Sequence, residues 1–234
     1  MNKVLGAVCG LVVAAAGIVP VAAHASEQGK LDERLAASTG ILDEIMNAPD
    51  SAIPEAITAK AHCVIVIPAV KKLAFAVGGQ YGRGVATCRT GHGWSAPVPV
   101  TLGGGSFGFQ IGGQSTDVVL IGMNKKSAQD LLHSKVKLGA DASAAAGPVG
   151  RNASANTDLF LNAEFLTYSR AKGLFAGLDL TGEYLGEDGD EMKSQYGPGA
   201  NATAILNGGT PVPANARAFE HTVAKYFLVS KGNQ

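Results

Sequence analysis

The sequence predicts one α+β domain, with an antiparallel β-rich sandwich or barrel-like core and N-terminal and C-terminal helices packed around it. Three observations predict it: a helix-period apolar pattern over residues 27–48, a series of short β-type runs broken by glycine from Cys63 to Ile121, and a second helical pattern from Asn215 to Val229. No repeat at solenoid or propeller spacing interrupts that order.

In residues 27–48, Leu31, Leu35, Leu42, Ile45 and Met46 recur at helical spacing among Glu27, Lys30, Asp32, Glu33, Arg34, Asp43 and Glu44, which describes an amphipathic helix with Gly40 as its weak point. Ser51 to Ala61 reads as a second helix, with Ser51 as its cap, Pro54 in its first turn and Glu55 at the positive end of its dipole. The β-type runs are Val64 to Ile67, Leu73 to Val77, Gly84 to Cys88, Pro97 to Leu102, Phe107 to Ile111 and Val118 to Ile121. The glycines between them suit tight turns, bulges and close backbone approach. Asn124 is placed to cap a short helix over Lys125 to His133. The small-residue stretch Gly139 to Gly150 is too poor in bulky side chains for a helix with its own core face. Two further strand-like runs follow, Leu159 to Ser169 and Leu174 to Tyr184, and then Glu187 to Glu191 reads as a solvated acidic turn. The closing helix points Phe219, Val223, Tyr226 and Phe227 inward.

The chain has 234 residues, 46% of them hydrophobic, which suffices for a substantial core. Its 31 glycines are about 13% of the chain against roughly 7% ordinarily, without the period of collagen. Lysine plus arginine equals aspartate plus glutamate at 19 each, which argues against a dedicated nucleic-acid binder. The charge is segregated, however. Residues 26–55 carry a net −5 and residues 56–172 a net +7. The basic clusters are Lys71-Lys72, Lys125-Lys126, Lys135 and Lys137, and Arg151, Arg170 and Lys172. Gathered on one face, they would attract anionic headgroups at about 1 kcal/mol per basic residue, weakened by salt. Spread out, they are ordinary solvated lysines and arginines.

Residues 1–25 read as a secretory signal: a basic start at Lys3, an apolar run from Val4 to Val21, and Ala23-His24-Ala25 for cleavage. A retained membrane anchor is the other reading of that run. Cys9 in Leu5-Gly6-Ala7-Val8-Cys9 also loosely resembles a lipoprotein acylation site, although Val8 is bulky there. Export leaves residues 26–234 in the periplasm or on the outer envelope, with Cys63 and Cys88 either joined as a disulfide or kept as two buried thiols.

Catalytic motifs are sparse. Gly104-x-Ser106-x-Gly108 matches the five-residue nucleophile elbow of serine hydrolases, and Asp117 or Asp158 followed by His221 satisfies the triad order. The elbow must turn from a strand into a helix, whereas Phe107 to Gly113 is β-like, so an esterase is the alternative reading. His62, His92, His133 and His221 are too dispersed to propose a zinc site, and no phosphate-binding glycine loop is present, so no cofactor is expected.

Three stretches carry more information: Gly93-Trp94-Ser95-Ala96-Pro97, Gly147-Pro148-Val149-Gly150-Arg151-Asn152, and Tyr168-Ser169-Arg170-Ala171-Lys172-Gly173-Leu174-Phe175-Ala176-Gly177. In order and spacing they resemble the hallmarks of the SYLF domain family, also called the Ysc84 family. Tyr81-Gly82-Arg83-Gly84-Val85, the Gly103 to Gly113 segment and Lys137-Leu138-Gly139-Ala140 fit as well, and the similarity runs from about Leu31 to Tyr196. The resemblance implies a noncatalytic phospholipid-binding domain. In eukaryotic relatives a basic amphipathic segment at the start of the domain contributes, but here the matching helix carries two basic against five acidic residues. The expectation is therefore an envelope protein that docks on anionic phospholipids through Lys71, Lys72, Arg151, Arg170 and Lys172, without nucleic-acid partners. A carrier that encloses an acyl chain in the β-rich body is a further reading.

Overall fold

The computed structural model describes residues 21–75, 77–106, 114–127, 135–150, 162–171 and 174–228. Its centre is a ten-stranded sheet in which eight strands run in the order β6-β10-β4-β2-β1-β5-β8-β7, while β3 (Gly93–Trp94) pairs β2 and β9 (Leu174–Gly177) pairs β8. The long central strands are β1 (Cys63–Phe75), β2 (Val77–Thr90), β4 (Val98–Ser106) and β5 (Gln114–Gly122). They are continued by β6 (Val136–Lys137), β7 (Ala144–Ala146), β8 (Phe165–Ala171) and β10 (Tyr184–Glu187). Among the described residues every ladder is antiparallel except β7 against β8. The sheet's two ends, β6 and β7, are close in the chain and joined by a bridge between Leu138 and Ala142. The sheet consequently curls on itself as a half-barrel.

Alternation sorts the side chains. Ile65, Ala86, Val100, Leu120, Phe165 and Leu185, one from each of six strands, meet in one buried cluster on the concave face. Val64, Val66, Val85, Val119, Leu166 and Tyr168 face the other way and pack under helices. Central β1 is buried on both faces, which is why Cys63 to Ile67 reads as an unbroken apolar run instead of an alternating one.

The helices cover the convex face at one end. Helix α1 (Val21–Asn47) lays Leu31, Leu35, Leu42 and Ile45 on the sheet, and α5 (Arg217–Tyr226), entered through a 3₁₀ turn at Ala214–Ala216, adds Phe219 and Val223. Burying each such side chain contributes about 1.5–3 kcal/mol. Among the described residues no helix is long and apolar enough to cross a membrane.

The structure amends several local expectations. The runs Val64–Ile67 and Leu73–Phe75 belong to the single strand β1, bent by a bulge between Ile67 and Val70 where Ala69 takes a positive φ of 51°, while Val77, expected at the end of the second run, begins β2 and pairs back on Phe75. The helix expected from Ser51 shortens to α2 (Glu55–Thr58), with Pro54 as its cap residue. Asn124 does cap a helical start at 125–127, its side chain accepting from Ser127 N at 2.9 Å, while residues 128–134 lie outside the described ones. The small-residue stretch supplies the parallel strand β7, and Leu174–Tyr184 divides between β9 and β10. The expected strand Phe107–Ile111 lies outside the described residues.

The acidic segment is corrected in part: Glu187 and Asp190 are exposed, as expected, but the segment opens a helix and its other two carboxylates are buried. Asp188 caps α3 (Gly189–Tyr196), and both Asp188 and Glu191 are buried. Glu191, only 1% exposed, pairs with Arg34 of α1, while Arg83 of β2 reaches both Asp188 and Glu191. Carboxylates that read as solvent-facing are instead the cross-tie between α1, α3 and the sheet. One further helix, α4 (Ala202–Leu206), buries Ile205 and Leu206 in the concave cluster and has no counterpart in the sequence reading.

Candidate functional site

On the half of the convex face that the helices leave open, strand register lines up one row of side chains. Lys71 of β1 pairs with Tyr81 of β2, Tyr81 with Gly103 of β4, Gly103 with Tyr184 of β10, and Tyr184 with Lys137 of β6. Directly paired residues share a face, so this row projects to one side across five strands, about 19 Å from Lys71 to Lys137 along the sheet at the ordinary strand spacing. Tyr81 is 54% and Tyr184 44% exposed, high values for large aromatic side chains. The Lys137 ammonium lies 5.5 Å from the centre of the Tyr184 ring.

Between the two tyrosines lies a cleft of about 350 Å³, floored by Gly103 and Gly104 and flanked by Thr101 and Lys135. The two floor glycines differ in what packing asks of them. A Cβ on Gly104 would collide with the Glu183 carboxylate on the concave side. A Cβ on Gly103 would meet only Gln80 O at 3.6 Å and the Tyr81 ring at 3.7 Å, which is ordinary contact.

One residue further along, a second row faces the concave side: Lys72 opposite Gln80, Gln80 opposite Gly104, and Glu183 beside Gly104. Glu183 is 5% exposed, and its Oε2 has no hydrogen-bond partner among the described residues. Burial raises its pKa, opposed by a hydrogen bond from Gln80 and by the charge of Lys72.

The residues expected to bind lipid are therefore separated. Lys71 stands exposed in the convex row, whereas its neighbour Lys72 points to the other face, as strand periodicity requires. Arg170, on β8, is engaged by carboxylates: its Nε donates to Asp117 at 2.9 Å and it pairs with Glu44 of α1. Arg151 and Lys172 lie outside the described residues. Cys63 and Cys88, directly opposed on β1 and β2, are bonded as a buried disulfide.

The Gly104-to-Ser106 segment is strand, paired with β2 as far as Gly78 opposite Ser106, in an antiparallel ladder and not at a parallel strand's turn into a helix. Asp117 is occupied by Ala69 N and Arg170, and His221 is exposed on α5 beside Glu220. Asp158 lies outside the described residues. No triad is assembled among the described residues.

The sequence motifs turn out to be packing devices. Gly147 lies against the ring of buried Tyr168, where any Cβ would overlap it, and Gly150 has φ +88° with its N–H donating to Ala52 O at 3.0 Å. Trp94 is buried, edge-on to Phe227 at 6.0 Å, with the Arg89 guanidinium 4.6 Å from its ring centre. Sequence reasoning passed over Tyr81, Tyr184 and Glu183 as site residues; the one available signal was Tyr81 within Tyr-Gly-Arg-Gly, because nothing in the linear order places position 184 beside position 103.

Comparison with known proteins agrees with the motifs. The family model Ysc84, described as "Las17-binding protein actin regulator", matches residues 103–226. An SH3 domain-containing protein of Schizosaccharomyces pombe is 37% identical over 175 residues, covering 73% of this chain and 41% of that protein. SH3 domain-containing YSC84-like protein 1 of Homo sapiens is 35% identical over 173 residues, 73% of this chain and 50% of that protein, and Protein YSC84 of Saccharomyces cerevisiae is 31% identical over 171 residues, 71% and 36% respectively. The chain thus spans half or less of the length of these relatives, whose names describe SH3-containing and YSC84-like proteins and no enzyme. Since the family model takes in more than half of the chain, including the end of β4 and all of β5, β8 and β10 with the motifs around Gly147 and Tyr168, the chain belongs to the Ysc84, or SYLF-domain, family.

Proposed function

We propose that this chain is a noncatalytic phospholipid-binding protein of a bacterial cell envelope, and that it docks on anionic bilayers. The supporting observation is the convex row, in which lysines stand at both ends and two exposed tyrosines between them. Lysines near a charged membrane surface contribute about 1 kcal/mol each, and tyrosine suits a boundary that is apolar on one side and wet on the other. Lys71 belongs to this surface. Lys72 and Arg170 do not, which narrows the expected patch to Lys71, Lys135 and Lys137 with the tyrosines. Residues 1–25 serve as the export signal in this reading, with the folded domain in the periplasm or on the outer envelope.

An acyl-chain carrier is less well supported, because the space that a lipid tail would need is held by the concave cluster of Ile65, Val100, Leu120, Phe165 and Leu185. Vesicle co-sedimentation tests the docking reading. Binding to phosphatidylglycerol vesicles that exceeds binding to phosphatidylcholine and falls as salt rises is expected. Equal, salt-independent binding to both overturns it. Charge reversal of Lys71 and Lys137 together should weaken binding by about tenfold or more, from the roughly 1 kcal/mol attached to each lysine.

A further inference from the structure

The cleft over Gly103 has a property that packing does not explain. Gly104 must lack a side chain because the Glu183 carboxylate lies against it, but Gly103 is under no such constraint: a methyl group there would meet its neighbours at 3.6 and 3.7 Å. A valine in this strand would even improve β-propensity. The open floor is therefore unnecessary for the fold, and what it preserves is the space between Tyr81 and Tyr184.

The dimensions and charge of that space restrict its occupant. The tyrosines are rooted two strands apart, about 10 Å, wider than the roughly 7–8 Å that clamps a flat ring with contacts of 3.5–4.0 Å on each side. That width suits a saturated, branched group. Lys135 lines the cleft, Lys137 stands over the Tyr184 ring, and Lys71 follows Tyr81. Among the described residues the lining contains no carboxylate, and Glu183, behind the floor, faces Lys72 on the other side. The hydroxyl of Thr101, on the same face of β4 as Gly103, adds a polar partner for a hydroxyl group.

We propose that the cleft is a subsite for one glycerol-phosphate headgroup of a bilayer lipid, with the glycerol hydroxyls over Gly103 and Gly104 and the phosphate toward Lys135 and Lys137. This rests on the anionic-membrane reading and adds to it a stereochemically defined pocket, where charge alone would need none.

Gly103→Val fills the cleft while leaving every lysine in place, so it separates the two ideas. With phosphatidylglycerol vesicles at physiological salt, the variant is expected to lose at least tenfold in affinity at an unchanged melting temperature, and soluble glycerophosphoglycerol should displace the wild-type protein. Gly103→Ala, whose methyl group meets its neighbours only at 3.6 and 3.7 Å and leaves both tyrosines and every lysine in place, is expected to give a smaller loss of the same kind should the valine variant fold poorly. If both variants bind like wild type, the subsite is overturned and surface docking stands. If inorganic phosphate displaces the protein as well as glycerophosphoglycerol does, the glycerol assignment is overturned. If the wild-type protein fails to bind the vesicles at all, the membrane reading falls and the subsite with it.

Discussion

Asp117 and Arg170 face each other across the β5–β8 ladder, with the guanidinium donating to the carboxylate from Nε and Nη2, both at 2.9 Å. The other carboxylate oxygen accepts from Ala69 N at 2.9 Å, holding the bulge where Ala69 takes its positive φ. Arg170 also pairs with Glu44, so one side chain ties α1, β5 and β8 together. An arginine that the sequence suggested for lipid headgroups has a structural assignment. Arg170→Gln is expected to leave vesicle affinity within twofold of wild type while lowering stability by about 1–3 kcal/mol, through the stranded Asp117 carboxylate. Parallel vesicle binding and urea denaturation check both halves.

The Arg34–Glu191–Arg83–Asp188 network makes a sharper stability prediction. Glu191 is the most buried of the four, and removing one partner of a buried ionic cluster leaves uncompensated charge. Glu191→Ala should cost about 3–5 kcal/mol. The double change Arg34→Met with Glu191→Leu should recover part of that loss in guanidinium melts, because it removes two opposite charges together; no recovery would contradict the pairing.

The disulfide closes a loop between Cys63 and Cys88 at the middle of the sheet. Replacing both cysteines with alanine is expected to cost about 2–4 kcal/mol. Calorimetry with and without reductant measures it, and the wild-type melting temperature should fall under reduction while that of the double variant stays put.

Glu183 predicts a pH dependence. Its pKa lies above the ordinary 4.5 because burial disfavours the charged form. The folded chain then holds the proton more tightly than the unfolded chain does. The stabilisation this gives is complete below pH 4.5 and is lost as pH rises through the folded-state value. Glu183→Gln, which cannot ionise, should remove that decline. Urea midpoints at pH 4, 6 and 8 should converge between the two proteins at acid pH and separate in favour of the variant at neutral pH; a constant difference would count against the buried carboxylate.

Much of the architecture is legible in the residues. The heptad-like spacing of Leu31, Leu35, Leu42 and Ile45 specifies α1, and that of Phe219 and Val223 specifies α5, because a 3.6-residue period puts each set on one buried face. The β-type runs mark the central strands. Elements of few residues, such as α4, and the strand divisions around Leu174 to Tyr184 were not legible, since their boundaries depend on which partner offers hydrogen bonds. The acidic segment misled for a related reason: a carboxylate reads as solvent-facing until an arginine more than a hundred positions away is brought against it, as Arg34 is against Glu191 and Arg83 against Asp188.

By itself the order of residues determined the α+β class, the positions of the framing helices, and membership of a family through glycines and aromatics that must touch, such as Gly147 and Tyr168. Only the tertiary structure decided which cations stand together. Lys71 and Lys72 are neighbours in the chain and face opposite sides of the sheet, while Lys71, Tyr81, Lys137 and Tyr184, spread over more than a hundred positions, share one row. Side-chain direction in a strand alternates with every residue, and the identity of the facing neighbour is set by ladder register, a property of paired strands that no single segment contains.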